Sequence, residues 1–365
     1  MKTNCENMDD KTAKLLQSIK PSKIIFPIII GLAVVLFFIV RDFKVQDISV
    51  LNFSYYTLLF LLFAFLLMAF RDIGYMIRIR VLSDGELSWR QTFRIVMLWE
   101  FTSAVSPSAV GGTAIATLFV AKEGISVGRS ASIVLTTSFL DELYFVITFP
   151  LLILLLQGDN LFGINAITNV NGASFANEFF LIAFIGYALK FVYIVIITYG
   201  LFINPRGLKW LLLLIFKLPI LRKWRQDANL SGTEIILSSR QFRRRPFSFW
   251  LKAFGATVFS WTSRYWVGNA VLAAFLIVPD HVLLFARQLV IWIMMLVSPT
   301  PGGSGLAEAA FAKYLSDLII VDPSLLAGVA IAMALLWRVI TYYPYLIIGA
   351  IILPTWIKEK FGSEK

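Results

Sequence analysis

Three observations predict an all-α polytopic membrane protein, with about six full spans and two re-entrant, broken helical hairpins in an inverted repeat. The 365 residues are 58% hydrophobic and 15% charged, with a mean hydropathy of +0.78, whereas soluble domains carry about 25% charged residues. Apolar runs near the roughly 20 residues that cross a bilayer recur along the chain. Two further apolar regions are each cut by proline and glycine, in SPSAVGGT at 106–113 and SPTPGGSG at 298–305.

The first apolar run, 24–40, follows a mixed-charge leader at 1–23. No small-residue cleavage site follows it, so it reads as a retained span rather than a signal peptide. Further spans are expected at 51–70, 131–156, 179–203, 251–278 and 325–353. The interrupted regions, 93–125 and 282–320, are too long for one span. Their halves, about 12–18 residues each, are too short for two comfortable ones. The whole of 24–353 reads as one transmembrane domain with a basic loop at 204–250 and a short tail at 354–365.

Lysine and arginine accumulate on the cytoplasmic side of membrane proteins. The leader carries Lys11, Lys14, Lys20 and Lys23, segment 71–94 carries Arg71, Arg78, Arg80, Arg90 and Arg94, and the tail carries Lys358, Lys360 and Lys365. Segment 204–250 holds ten basic residues against Asp227 and Glu234, while 157–178 has no Lys or Arg. Both termini are therefore expected in the cytoplasm. The first broken region is flanked by Arg94, Lys122 and Arg129, the second by Asp280, Asp317 and Asp322. Opposite flanking charge suits two hairpins entering from opposite faces, a common transporter plan. Two ordinary span pairs joined by tight turns would give the same flanks.

Non-helical backbone at bilayer depth persists only where protein buries it or water reaches it. Gly111-Gly112-Thr113 and Gly302-Gly303-Ser304 each precede a run suited to helix. Helices starting there would aim free amides and a positive dipole end at the tip, with Thr113 and Ser304 as caps. Pro107, Pro299 and Pro301 complete the tips. Two such N-termini face to face would make an anion site for phosphate or carboxylate. The competing reading is glycine placed only for close helix packing.

Ionisable residues inside spans mark function or pair structurally. Here they are Asp141, Glu142, Lys190, Arg264 and Arg338, with Glu308 one turn past the second tip and Glu100 on an arm of the first region. Arg264 and Arg338 would neutralise a phosphate. Asp141 or Glu142, together with Glu308, would meet a cationic headgroup or carry a proton. Adjacent residues on a helix diverge by about 100°, so only one of Asp141 and Glu142 is expected to point straight inward. RGLKWLLLLIFKLPILRKWR at 206–225 reads as an interfacial helix. Arg240, Arg243, Arg244 and Arg245 would meet anionic headgroups, or simply anchor the topology.

Other chemistries find little support. One cysteine, Cys5, and one histidine, His281, exclude a disulfide framework and leave no Cys/His metal site. No nucleotide-binding loop or Ser-His-Asp constellation is present, and no cofactor is expected. The net charge of +11 suits loops facing an anionic membrane surface rather than nucleic acid.

VSPTPGGSGLAEAAF at 297–311 resembles the P-T-P-G-G-x-G-x-x-E signature of the lysylphosphatidylglycerol synthase membrane-domain family, also called flippase-like proteins. VSPSAVGGTAIATLFVAKEGIS at 105–126 falls where that family has its first loop. The resemblance covers about 20–355. At the first loop the family has an acid after the glycine and an arginine a few residues on, where this chain has Thr113 and small apolar residues such as Ala116. Well-known members add a soluble aminoacyl-transferase domain, which these residues do not contain. The resemblance therefore implies lipid handling rather than synthesis of lysyl lipid: movement of a charged phospholipid between leaflets of a bacterial cytoplasmic membrane. Two other readings remain, a membrane-embedded lipid-modifying transferase using a lipid or polyprenyl-phosphate substrate, and an ion-coupled carrier of small anions.

Overall fold

In the computed structural model, the described residues are 53–105, 109–156, 161–162, 172–215, 242–295 and 306–361, with 217, 229, 232–233, 236 and 239–240. Among them regular structure is entirely helical: α1 Tyr55–Leu82, α2 Trp89–Val105, α3 Ala109–Lys122, α4 Val127–Leu156, α5 Gly172–Thr198, α6 Pro205–Ile215, α7 Phe247–Ala273, α8 His281–Met295, α9 Leu306–Tyr314, α10 Leu326–Thr341 and α11 Tyr343–Phe361. A π-turn, Tyr199–Ile203, follows α5. The stretches Tyr55–Leu82, Val127–Leu156, Phe180–Ile203 and Leu326–Lys360 are long and apolar enough to cross a membrane. The expected span at 24–40 lies outside the described residues.

Local chemistry sets several boundaries. Ser54 and Thr57 bond reciprocally at the start of α1, and Ser88 and Gln91 do the same before α2, with the Ser88 amide donating to Gln91 Oε1 at 2.8 Å. Asp280 Oδ1 accepts the Val282 and Leu283 amides at 2.9 Å, starting α8. Outside the spans, the hydroxyl and amide of Ser324 hold the Asp322 carboxyl below its ordinary pKa. α1 ends in a turn where Asp84 and Gly85 have φ of 57° and 76°, a region glycine adopts freely and aspartate tolerates.

Two expectations need correction here. The span expected at 51–70 is the 28-residue helix α1, running on to Leu82. Arg71 and Arg78 are thus buried helix residues rather than loop residues, because acids on other helices neutralise them. The span expected at 325–353 lies within the apolar stretch Leu326–Lys360, which runs further than expected and carries a break at Tyr342 (φ −129°, ψ −56°) that divides it into α10 and α11. Pro344, with no amide proton, suits the first turn of a new helix and not the interior of a continuous one.

Helix pairs close on small residues, as expected where lipid offers no hydrophobic drive. α1 lies along α7: a Cβ on Gly74 would sit 3.0 Å from the Ala256 carbonyl oxygen. There the Ser260 hydroxyl donates to the Arg71 carbonyl at 2.8 Å. α11 lies on α2, where a Cβ on Gly349 would fall 2.3 Å from Phe101 Cβ. Pro150 interrupts α4 and cannot donate to the Val146 carbonyl. The Tyr187 hydroxyl of α5 donates to that same carbonyl at 3.3 Å, meeting the demand that backbone be satisfied within the bilayer. The outward surface is apolar, with Leu154 and Ile351 among its exposed residues.

The broken regions appear as short helices. α2 and α3 have 17 and 14 residues, α8 and α9 have 15 and 9. At 1.5 Å per residue none reaches the roughly 30 Å of hydrocarbon core. α2 packs against α3, and α8 against α9.

Candidate functional site

A chain of paired charges runs through the helical core. Arg71 and Arg78 lie seven residues apart on α1, so both face the same way. Arg71 Nη1 donates to Asp72 at 2.7 Å, and its Nη2 pairs with Glu100 of α2. The Tyr345 hydroxyl of α11 donates to Asp72 at 2.8 Å. Two turns on, Arg78 pairs with Asp141 of α4 and donates to Thr257 of α7 at 3.1 Å. Trp261 Nε1 donates to Asp141 at 2.6 Å. The Tyr75 ring lies between the two arginines, its centre 5.4 Å from the Arg71 guanidinium and 4.3 Å from that of Arg78. Next along α4, Glu142 receives Lys190 of α5, with both oxygens at 3.0 Å. Asp141 and Glu142 therefore both find partners, Asp141 on α1 and α7 and Glu142 on α5, in keeping with the roughly 100° between neighbours on a helix.

Arg71, Arg78, Lys190 and Arg264 stand against Asp72, Glu100, Asp141 and Glu142, so the group is balanced in charge. A charge at a helix centre costs about 2.5–3.5 kcal/mol on insertion scales, and pairing is what makes so many tolerable. Exposure is uneven. Arg71, Arg78 and Lys190 have side chains 2–5% exposed, whereas Glu100 is 18% and Asp141 20%. Arg264 of α7 is the loosely held base. Its nearest carboxylate oxygen, on Glu100, is 3.9 Å away, beyond hydrogen-bond reach. Its guanidinium lies 4.5 Å from the Trp292 ring centre and is 12% exposed. It thus keeps donors in hand beside a part-open carboxylate.

A second group lies at the ends of the broken regions. Glu308 occupies the first turn of α9, immediately after SPTPGGSG, where the helix dipole favours negative charge. Arg338 of α10 donates to it from Nε at 2.7 Å, and the pair is buried. The Arg338 guanidinium lies 4.4 Å from the Tyr342 ring centre. The Tyr342 hydroxyl donates to the Ala104 carbonyl near the end of α2 at 3.0 Å. The residue run just before the first breaker and the helix just after the second are thereby joined through Tyr342 and Arg338.

The tips themselves are only partly described. Pro107, Pro299, Pro301, Gly302, Gly303 and Ser304 lie outside the described residues. α3 starts at Ala109, so Gly111 and Gly112 fall in its first turn and Thr113 inside it. Thr113 cannot be the expected N-cap; Ala109 and Val110 extend the helix ahead of the glycines. Of the basic loop, Arg240, Arg243 and Arg244 are exposed. Arg245 instead pairs with Asp84, which Arg129 also holds at 3.1 Å. Among the described residues no group of His, Cys, Asp and Glu is placed to hold a metal.

Sequence reasoning missed Arg71, Arg78, Asp72, Tyr345 and Trp261, and left Glu100 without a role. The available signal was spacing: Arg71, Gly74 and Arg78 recur at i, i+3 and i+7, one face of a helix.

Residues 24–349 match the family described as lysylphosphatidylglycerol synthase TM region. A relative from Archaeoglobus fulgidus, described as a UPF0104 membrane protein, is 28% identical over 303 residues, covering 80% of this chain and 85% of its own.

Proposed function

The chain belongs to the lysylphosphatidylglycerol synthase TM region family, and on that premise we propose that it is a carrier that moves a charged phospholipid between membrane leaflets. The observation that carries this reading is Arg264, a cation with spare donors next to the part-exposed Glu100, inside an otherwise closed set of ion pairs. A phosphate would complete its coordination, and the neighbouring carboxylates of Glu100 and Asp141 suit an amine or aminoacyl group on the same lipid. The acids near the centre are each bound to a base, which fits charge compensation better than general-acid chemistry.

In this reading α2–α3 and α8–α9 are re-entrant hairpins entered from opposite faces, in keeping with their short helices and opposite flanking charge. Gly111, Gly112, Gly302, Gly303 and Ser304 would line the headgroup path, and Glu308 with Arg338 would gate it. Both termini would lie in the cytoplasm.

The test uses purified protein in liposomes holding a fluorescent phosphatidylglycerol, with an impermeant quencher outside. Without translocation about half the label stays protected. Active protein should leave almost none, and Arg264→Gln should slow the loss by tenfold or more. Protection staying at one half with parent protein that is folded and correctly inserted would end the carrier reading.

A further inference from the structure

We propose that the cytoplasmic interface carries a separate phosphate-binding pocket, formed where the π-turn Tyr199–Ile203 meets α6 and residues Ile236, Ser239, Arg240 and Arg243. A pocket of about 320 Å³ lies there, within the size range of small-ligand sites. Leu201, Phe202 and Ile236 line it on the apolar side, and Arg206, Arg240 and Arg243 supply three guanidinium groups. None of the three has a carboxylate partner among the described residues. Arginine forks match phosphate oxygens and are suited to this task.

Ser239 points to a ligand independently of the arginines. It lines the same pocket, is 2% exposed, and its hydroxyl has no hydrogen-bond partner among the described residues. A buried hydroxyl left unmade costs about 1–3 kcal/mol, so a bound acceptor accounts for it. The backbone adds to the same chemistry. Asn204 Oδ1 takes the Gly207 amide at 2.9 Å, and Pro205 has no amide to offer. The Arg206 amide therefore stands among those at the start of α6 with no acceptor inside the helix. π-turns are rare and concentrate at functional sites. The two walls are tied together, since Lys209 Nζ of α6 donates to Thr233 Oγ1 at 2.8 Å.

The ligand is a phosphate ester anion, carried on a lipid headgroup or on a small soluble molecule. The site does not depend on transport through the centre. It is tested with the full-length protein, delipidated in detergent and followed by native mass spectrometry. One arm adds phosphatidylglycerol, the other glycerol phosphate. Parent protein should retain one tightly held phosphate ester, and Arg206→Gln/Arg240→Gln/Arg243→Gln should weaken that binding tenfold or more. Lys252→Gln, an exposed basic residue on α7 outside the pocket, should leave it unchanged. Ser239→Ala, which keeps all three arginines, should weaken it severalfold and serves as the test if the triple variant unfolds. Arginine-dependent binding in the phosphatidylglycerol arm alone assigns a lipid; arginine-dependent binding of glycerol phosphate assigns a soluble ester. The proposal is overturned if neither arm responds to the triple variant or to Ser239→Ala, or if Lys252→Gln weakens binding equally.

Discussion

The Tyr342 hydroxyl donates to the Ala104 carbonyl at 3.0 Å, across 238 residues of sequence. Ala104 lies near the last turn of α2, two residues ahead of the first Pro-Gly segment. Tyr342 lies at the break between α10 and α11, with the Arg338 guanidinium against its ring. Arg338 in turn holds Glu308, at the start of the helix that follows the second Pro-Gly segment. One hydrogen bond, one cation–aromatic contact and one ion pair thus connect the two broken regions.

Removing the first of these should be measurable. Tyr342→Phe keeps the ring and deletes the bond. Side-chain hydrogen bonds inside membrane proteins average about 0.6 kcal/mol, with a maximum near 1.7. We expect a loss in that range by thermal or denaturant unfolding in detergent. An unchanged stability would mean that the contact joins nothing energetically.

The pair Arg78–Asp141 should behave differently. Each partner is held by further bonds, from Arg78 to Thr257 and from Trp261 to Asp141. Breaking a buried pair by removing one member costs about 3–5 kcal/mol, while replacing both with apolar residues is often far milder. Arg78→Met and Asp141→Leu should each be severe, and the double variant should be more stable than either single variant. Additive losses in a double-mutant cycle would mean the two charges do not compensate each other.

Pro150 and Tyr187 form a third testable unit. Tyr187→Phe should destabilise the protein by about 1 kcal/mol, because the Val146 carbonyl loses its donor. In a Pro150→Ala background the backbone amide returns and takes that carbonyl itself. There Tyr187→Phe should be nearly neutral. Equal losses in both backgrounds would show that the hydroxyl acts elsewhere.

How much of this was legible beforehand depends on whether the information is local. The helices α4 and α5 lie close to the apolar runs at 131–156 and 179–203, because lipid exposure demands continuous apolar sequence. Glu308 was visible as the acid after the second breaker, and Arg338 as a charge inside an apolar run. Their pairing was not, since Arg264 was an equally good partner by sequence. Arg71 and Arg78 were misread as loop residues for a related reason. A positive charge within an apolar run ends a span unless an acid meets it. Asp72 stands next to Arg71, but the acids that reach these two from other helices, Glu100 and Asp141, stand 29 and 63 residues along the chain. Thr113 was misread as a cap because glycine discourages helix interiors but does not forbid them in a first turn.

The sidedness of the two broken regions gives the last prediction. Lys122 ends α3 and carries the basic flank of the first region; Ile320, 63% exposed, follows the second beside Asp322. If the regions enter from opposite faces, those two positions lie on opposite sides of the membrane. Cys5→Ser removes the lone native cysteine, after which Lys122→Cys and Ile320→Cys are made separately. Ile320 is preferred to Asp317, whose carboxylate pairs with Arg287 and would be missed. In intact cells an impermeant thiol reagent should label position 320 and spare 122. Opening the cells should expose 122 without changing 320. Labelling of both positions in intact cells, or of neither, would put the flanks on one face and exclude an inverted pair of hairpins.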